Sequence, residues 1–159
     1  MEMSEAARRV ADALAAAGVE AEVRSYAEST RTADEAAAAV GANVGQIVKS
    51  LVFLADGRPI LALVSGANRL DTAKLAQIAG AKITRADADT VRAATGYAIG
   101  GVPPVGLASA LPVYCDRDLL QHSEVWAAAG TPHTVFGIEP ETLARITHAE
   151  IVDLAVVEG

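Results

Sequence analysis

Residues 47 to 65, "IVKSLVFLADGRPILALVS", constrain the fold more than any other stretch of this 159-residue chain. Two apolar runs rich in Val, Ile and Leu flank "DGRP". Its Asp56-Gly57 pair is a strong hairpin signal, because both central residues of the favoured turn need a positive φ. One letter interrupts the pattern. Lys49 stands among Ile47, Val48, Leu51 and Val52. It can point to solvent from an edge strand, snorkel along apolar neighbours, or stand as a cation at the mouth of a pocket. In the last case it would hold a phosphate or stabilise an oxyanion.

The segments around this hairpin alternate between helix and strand. Ala7, Val10, Leu14 and Ala17 form one helical stripe across residues 4–17, which Gly18 stops. "EAEVRSY" alternates like an edge strand. "TADEAAAAVG" is a short helix with Thr32 as N-cap, Glu35 three residues on and Gly41 past its end. After the hairpin, "LDTAKLAQIAG" is a helix entered at Asp71, "AKITRA" a short strand, and Asp87 caps a helix through Ala94. "ALPVYCD" is a strand, "DLLQHSEVWAAAG" a helix and "TPHTVFGI" a strand. "EPETLARIT" is a helix with Pro140 in its first turn, and "AEIVDLA" closes the chain as a strand. Interleaved elements with some hairpin neighbours predict a mixed sheet rather than a doubly wound one. No repeat, linker or boundary divides the sequence, so residues 1–159 are expected to form one domain.

Composition sets limits on function. The hydrophobic fraction is 52% and the mean hydropathy +0.29, which argues for a packed core, with aromatics at only 4%. No apolar run reaches the ~20 residues of a membrane span, and the charged start "MEMSEAARRV" does not resemble a secretory signal. The single Cys115 excludes an internal disulfide and fits a reducing cytoplasm. A net charge of −7 argues against a long grip on a nucleic-acid backbone; DNA is not expected as a partner, and any RNA contact must be local.

Familiar catalytic patterns are missing. His122, His133 and His148 have no metal-ligand spacing, so no metal or other cofactor is expected. Cys115 lies in a strand-like run beside Asp116, which raises a thiol pKa rather than lowering it. There is no nucleophile elbow and no phosphate-loop or dinucleotide glycine spacing. The irregular stretch "GYAIGGVPPVG", residues 96–106, remains. It is either a connector stiffened by Pro103 and Pro104, or a rigid rim whose glycines let backbone groups approach a ligand.

Together, "IVKSLVF" and, about fifty residues on, "GGVPPVG" resemble the YbaK/EbsC family, the prolyl-tRNA synthetase editing-domain or INS-like superfamily. The resemblance runs in order through "TADEAAAAVG", "LALVSGANRLDTAKLA", "TGYAIGGVPPVG" and "AGTPHTVFGIEPETLARIT". It implies an α/β fold with a mixed, barrel-like sheet wrapped by helices. It also implies hydrolysis of the ester joining a wrong, small amino acid to tRNA, usually tRNA for proline. The amino acids considered are alanine, 2-aminobutyrate, serine and cysteine. The family's lysine matches Lys49, and its G-x-x-P loop matches Gly101, Val102, Pro103 and Pro104, flanked by Gly100 and Gly106. Tyr97, with Ala98, precedes the loop, and His133 falls where relatives build the amino-acid pocket; each can line a pocket or merely pack or face solvent.

An aminoacyl ester is already activated, so positioning and charge stabilisation suffice, and the family is thought to use substrate-assisted catalysis. The implied partner is the acceptor end of aminoacyl-tRNA, with prolyl-tRNA synthetase or an elongation factor as a further hold. Ser50, after the lysine, is neither the threonine of the cysteine-removing branch nor the asparagine of the alanine-removing branch. Two rival functions are a non-catalytic aminoacyl-tRNA-binding module and a generic ester hydrolase, the second disfavoured because no activated nucleophile is visible.

Overall fold

The computed structural model describes residues 3–157. Helix starts follow the caps in the sequence. Ser4 Oγ accepts from Ala7 N–H at 3.1 Å to open α1 (Glu5–Ala16), whose Ala7, Val10 and Leu14 are buried. Thr32 and Glu35 form a reciprocal capping box at α2 (Ala33–Val40). Asp71 caps α3 (Thr72–Ala79) and Asp87 caps α4 (Ala88–Thr95). The last helix, α5 (Pro140–Thr147), carries Pro140 in its first turn.

Eight strands form one mixed sheet. They are β1 (Val23–Ser25), β2 (Ile47–Ala55), β3 (Arg58–Ser65), β4 (Ile83–Arg85), β5 (Val113–Asp116), β6 (Val125–Ala128), β7 (Thr134–Ile138) and β8 (Glu150–Val152). Their order is β1-β7-β6-β2-β3-β5-β8, with β4 also paired to β2. The β2–β3 pair is the expected hairpin, and its turn has Asp56 at φ 49 and Gly57 at φ 83. β1 lies at the end of the order, as an edge strand.

One element differs in kind from the expectation. "DLLQHSEVWAAAG" is not a helix: a short 3₁₀ turn over Arg117–Gln121 gives way to β6, which runs parallel to β2 and antiparallel to β7. Val125, Trp126 and Ala127 are all buried, because a strand between two others with cover on both faces is apolar throughout. Such a short run has no period that distinguishes strand from helix.

The β2–β3 hairpin separates two apolar layers. One face contributes Val48, Leu61 and Leu63 to a core shared with α1, β5, β6 and the 97–102 loop. The other contributes Ile60, Ala62 and Val64, packed with Leu75 of α3 and Leu154. Leu61 and Leu63 are fully buried, so truncating either to alanine should cost about 2–5 kcal/mol.

Candidate functional site

The site begins with an incomplete pairing on β2. One edge is paired to β3 along its length. On the other, β6 covers Ile47 and Val48, and β4 covers Phe53–Ala55. Among the described residues, Lys49–Val52 have no strand neighbour on that edge. Ile47 C=O accepts from Gly66 N–H at 2.7 Å on the β3 side. Peptide groups alternate sides along a strand, so the N–H and C=O of Ser50 point to the uncovered edge. Lys49 is therefore not on an edge strand; it sits on a local edge inside the sheet.

A cavity of about 1020 Å³ opens at this gap. Lys49 pairs across to Val64 and Ser50 to Leu63, which places the two side chains on opposite faces of β2. Both line the cavity because the strand's edge is open there. Four cations, Arg31, Lys49, Arg69 and Arg85, line it, and among the described residues no aspartate or glutamate does. Apolar walls come from Val52, Phe53, Val91 and Ile99, the last of which is 52% exposed. A smaller cavity of about 470 Å³ shares Lys49 and Arg69 and adds Asn68. The arrangement suits an anionic ligand with an apolar part.

Lys49 is partly buried, and its Nζ donates to the backbone C=O of Asn68. Burial lowers its pKa below the ordinary lysine value, and the negative charge of Asp116 acts in the opposite sense. Among the described residues Asn68 is its only hydrogen-bond acceptor, so two of its three N–H bonds remain for a ligand. Ser50 Oγ is buried without a partner.

The glycine-rich stretch is divided by its packing. Gly100 and Val102 line the large cavity, whereas Gly101, Pro103 and Pro104 are buried behind them. A Cβ on Gly101 would lie 2.9 Å from Thr131 Cα and 3.0 Å from the Gly130 carbonyl oxygen, so only glycine allows this approach. Gly100 leaves space for the Arg31 side chain; a Cβ there would meet its Nε at 2.9 Å. Tyr97 is a strut in the core rather than a cavity wall. It is 2% exposed, its hydroxyl donates to Gly106 C=O at 2.7 Å, and Arg9 stacks 4.6 Å above its ring. This hydrogen bond ties the two ends of the loop together.

His133 is exposed in the turn before β7 rather than on the strand, and it does not line the cavity. Its Nδ1 lies 3.1 Å from Glu28 C=O, and its own C=O accepts from Tyr26 N–H. It thus pins the segment that carries Thr30 and Arg31 to the cavity rim. Cys115 is buried, and burial together with Asp116 pushes its thiol up to about 12. At that value it is not a nucleophile near neutral pH. No three His, Cys, Asp or Glu residues converge as a metal site among the described residues.

The sequence reading missed Arg31, Arg69, Arg85, Asn68 and Asp116. No local signal marks the three arginines, which come from separate elements and meet only in the fold.

The profile of the aminoacyl-tRNA editing domain matches residues 27–146. EbsC of Enterococcus faecalis, provisionally named a Cys-tRNA(Pro)/Cys-tRNA(Cys) deacylase, is 27% identical over 135 residues, covering 84% of this chain and 82% of that protein. A proline–tRNA ligase from Solidesulfovibrio magneticus is 40% identical over 90 residues, 55% of this chain and 15% of the ligase. A crystal structure described, again provisionally, as a trans-editing enzyme for prolyl-tRNA synthetase superposes with TM-score 0.94 at 50% identity. It covers 98% of this chain and 100% of that one.

Proposed function

The chain belongs to the aminoacyl-tRNA editing domain family, and we propose that it acts in trans, hydrolysing the ester between a small, wrong amino acid and tRNA for proline. The observation that carries this reading is the cavity at the uncovered stretch of β2, cationic and without carboxylates in a chain of net charge −7. It fits the terminal phosphate and sugar of an acceptor end, with an apolar wall for the base and the aminoacyl group.

In this mechanism Lys49 directs its two unused N–H bonds at the terminal phosphate or at the oxygen that gains charge as the ester carbonyl is attacked. Gly100 and Val102 form the backbone wall beside the ester, and Gly101, Pro103 and Pro104 fix that wall from behind. Ser50 meets the amino-acid side chain. The attacking group is a water, whose proton passes to the ribose hydroxyl next to the ester while the esterified ribose oxygen leaves as a hydroxyl, since among the described residues no carboxylate or imidazole lines the cavity to act as base. A separate enzyme for this task follows from selectivity limits: one methylene contributes only ~1–3 kcal/mol of discrimination in a synthetase pocket.

The test is ester loss from a panel of tRNAs mischarged with alanine, 2-aminobutyrate, serine or cysteine. The wild-type protein should release at least one. Lys49→Ala should lose this activity while retaining its circular dichroism and thermal midpoint. Full turnover by a folded Lys49→Ala protein would remove Lys49 from the mechanism. Release of none, with measurable tRNA binding, would make the chain a binding module.

A further inference from the structure

Behind Lys49 lies a buried carboxylate that the mechanism above does not use. Asp116, at the end of β5, is 0% exposed. Its Oδ2 accepts from Ser65 N–H at 3.1 Å and from Asn68 Nδ2 at 2.8 Å, and its Oδ1 accepts from Asp118 N–H at 2.9 Å. No ion pair reaches it among the described residues; those present are Lys74–Asp153 and Arg117–Asp153. A buried charge without a cation in contact is costly and is tolerated only where hydrogen bonds satisfy it, as the three donors here do.

The second half of the device is Asn68. Its two amide N–H bonds are both used, one on Asp116 and one on Asp118 Oδ2 at 2.8 Å. Carboxylates only accept, so this assignment fixes which way the amide faces. Asn68 N–H also donates to Ser65 C=O at 2.9 Å, and Ser65 Oγ to Gly45 C=O at 2.7 Å. The turn after β3 is thus held from three sides. Asn68 lines the smaller cavity, which shares Lys49 and Arg69 with the large one, and its carbonyl is the one that accepts from Lys49 Nζ.

We propose that Asp116 and Asn68 are positioning residues for Lys49: the carboxylate locks the Asn68 turn, whose carbonyl aims the amine into the cavity, and supplies the buried counter-charge that keeps it an ammonium. The proposal rests on Lys49 acting on the substrate, but the arrangement itself can be tested without substrate. The other charges around the site are Arg69 on the same turn, Arg31 and Arg85 in the cavity lining, and Asp118 hydrogen-bonded to Asn68. Burial is the larger influence on Lys49 and favours loss of its proton, and Asp116 is the charge that opposes it.

The chain contains only three lysines, Lys49, Lys74 and Lys82, so the side-chain Cε signals of lysine can be followed individually by NMR as pH is raised. In the full-length protein, Asp116→Asn keeps the shape and the acceptor toward Ser65 and Asn68 while removing the charge. Its Lys49 midpoint should fall relative to wild type, with Lys82 unmoved. In the deacylation assay, the alkaline limb of the rate profile should move to lower pH in the same variant, with part of the rate recovered below that limb. A purely structural role for Asp116 would lower the rate at every pH without moving the limb.

Should Asp116→Asn fail to fold, Asn68→Ala tests the other half. It retains the buried carboxylate and should lose about tenfold or more in kcat/KM while its Lys49 midpoint stays near that of wild type. An unmoved Lys49 midpoint in folded Asp116→Asn, or wild-type deacylation by Asn68→Ala, overturns the proposal. A moved midpoint in a protein that deacylates nothing would uphold the counter-charge and refute the proposed function instead.

Discussion

Ser50 carries a hydroxyl that is buried and unpartnered, alone in this respect among the side-chain N and O atoms of the described residues. An unmet buried hydroxyl costs roughly 1–3 kcal/mol, so Ser50→Ala should leave stability unchanged or raise the thermal midpoint. That is the reverse of most substitutions beside a core. If the hydroxyl finds its partner on the substrate, the same variant should lower the ratio of kcat/KM for seryl over alanyl ester by about two- to tenfold. Parallel loss on both esters would refute a selective role for Ser50. At this scale the sequence marks anomalies well. Lys49 stands out because its neighbours are apolar, and Ser50 because it matches neither branch of the family at the position after the lysine. Asn68 and Asp116 do not, since a polar residue after a strand looks like any turn until the fold brings positions 48 apart into contact. Asp116 was legible only as a neighbour that raises the Cys115 thiol, and burial is the larger cause of that shift.

Elements whose ends carry chemistry are readable from the sequence, and elements defined by their neighbours are not. Thr32, Asp71 and Asp87 announce helix starts because a side chain must satisfy free N–H groups there. The Asp56-Gly57 turn fixes the hairpin register for the same local reason. β6 is a strand only because β2 and β7 flank it, so no local pattern separates it from a helix. The uncovered edge at Lys49–Val52 depends on where β6 and β4 stop, which is a fact of assembly. A pair of glycine variants tests the loop's role at this level. Gly57→Ala puts a Cβ in open space at φ 83 and should cost about 1 kcal/mol of stability with normal turnover. Gly101→Ala drives a Cβ into the backbone of Gly130 and Thr131 and must displace the loop. Its deacylation rate should fall at least tenfold even where chemical denaturation shows the fold intact. Wild-type rates in Gly101→Ala would make the loop a mere connector.

Across the whole molecule the question is how a chain with twenty acidic and thirteen basic residues could hold the polyanion that the proposed function requires. The net charge repels nucleic acid at long range, and only segregation of charge permits contact. Here segregation is achieved by bringing Arg31, Lys49, Arg69 and Arg85 from four separate segments to one cavity without a carboxylate among them. A grip confined to these cations can neutralise at most about four phosphates. For a single strand, log K falls with log salt by about 0.7 for each phosphate neutralised, giving a slope no steeper than about −3. A protein that tracked the acceptor stem over its length would show a steeper dependence. Arg85→Gln should therefore flatten the slope by about 0.7 when binding to an acceptor-stem RNA hairpin is titrated with potassium chloride. Arg58→Gln, at the hairpin turn and outside the cavity lining, should leave it unchanged. Equal slopes for the two variants would place the RNA elsewhere on the surface. A slope flattened only by Arg85→Gln would tie the acidic remainder of the molecule to a specific role: it keeps the RNA off every face but this one.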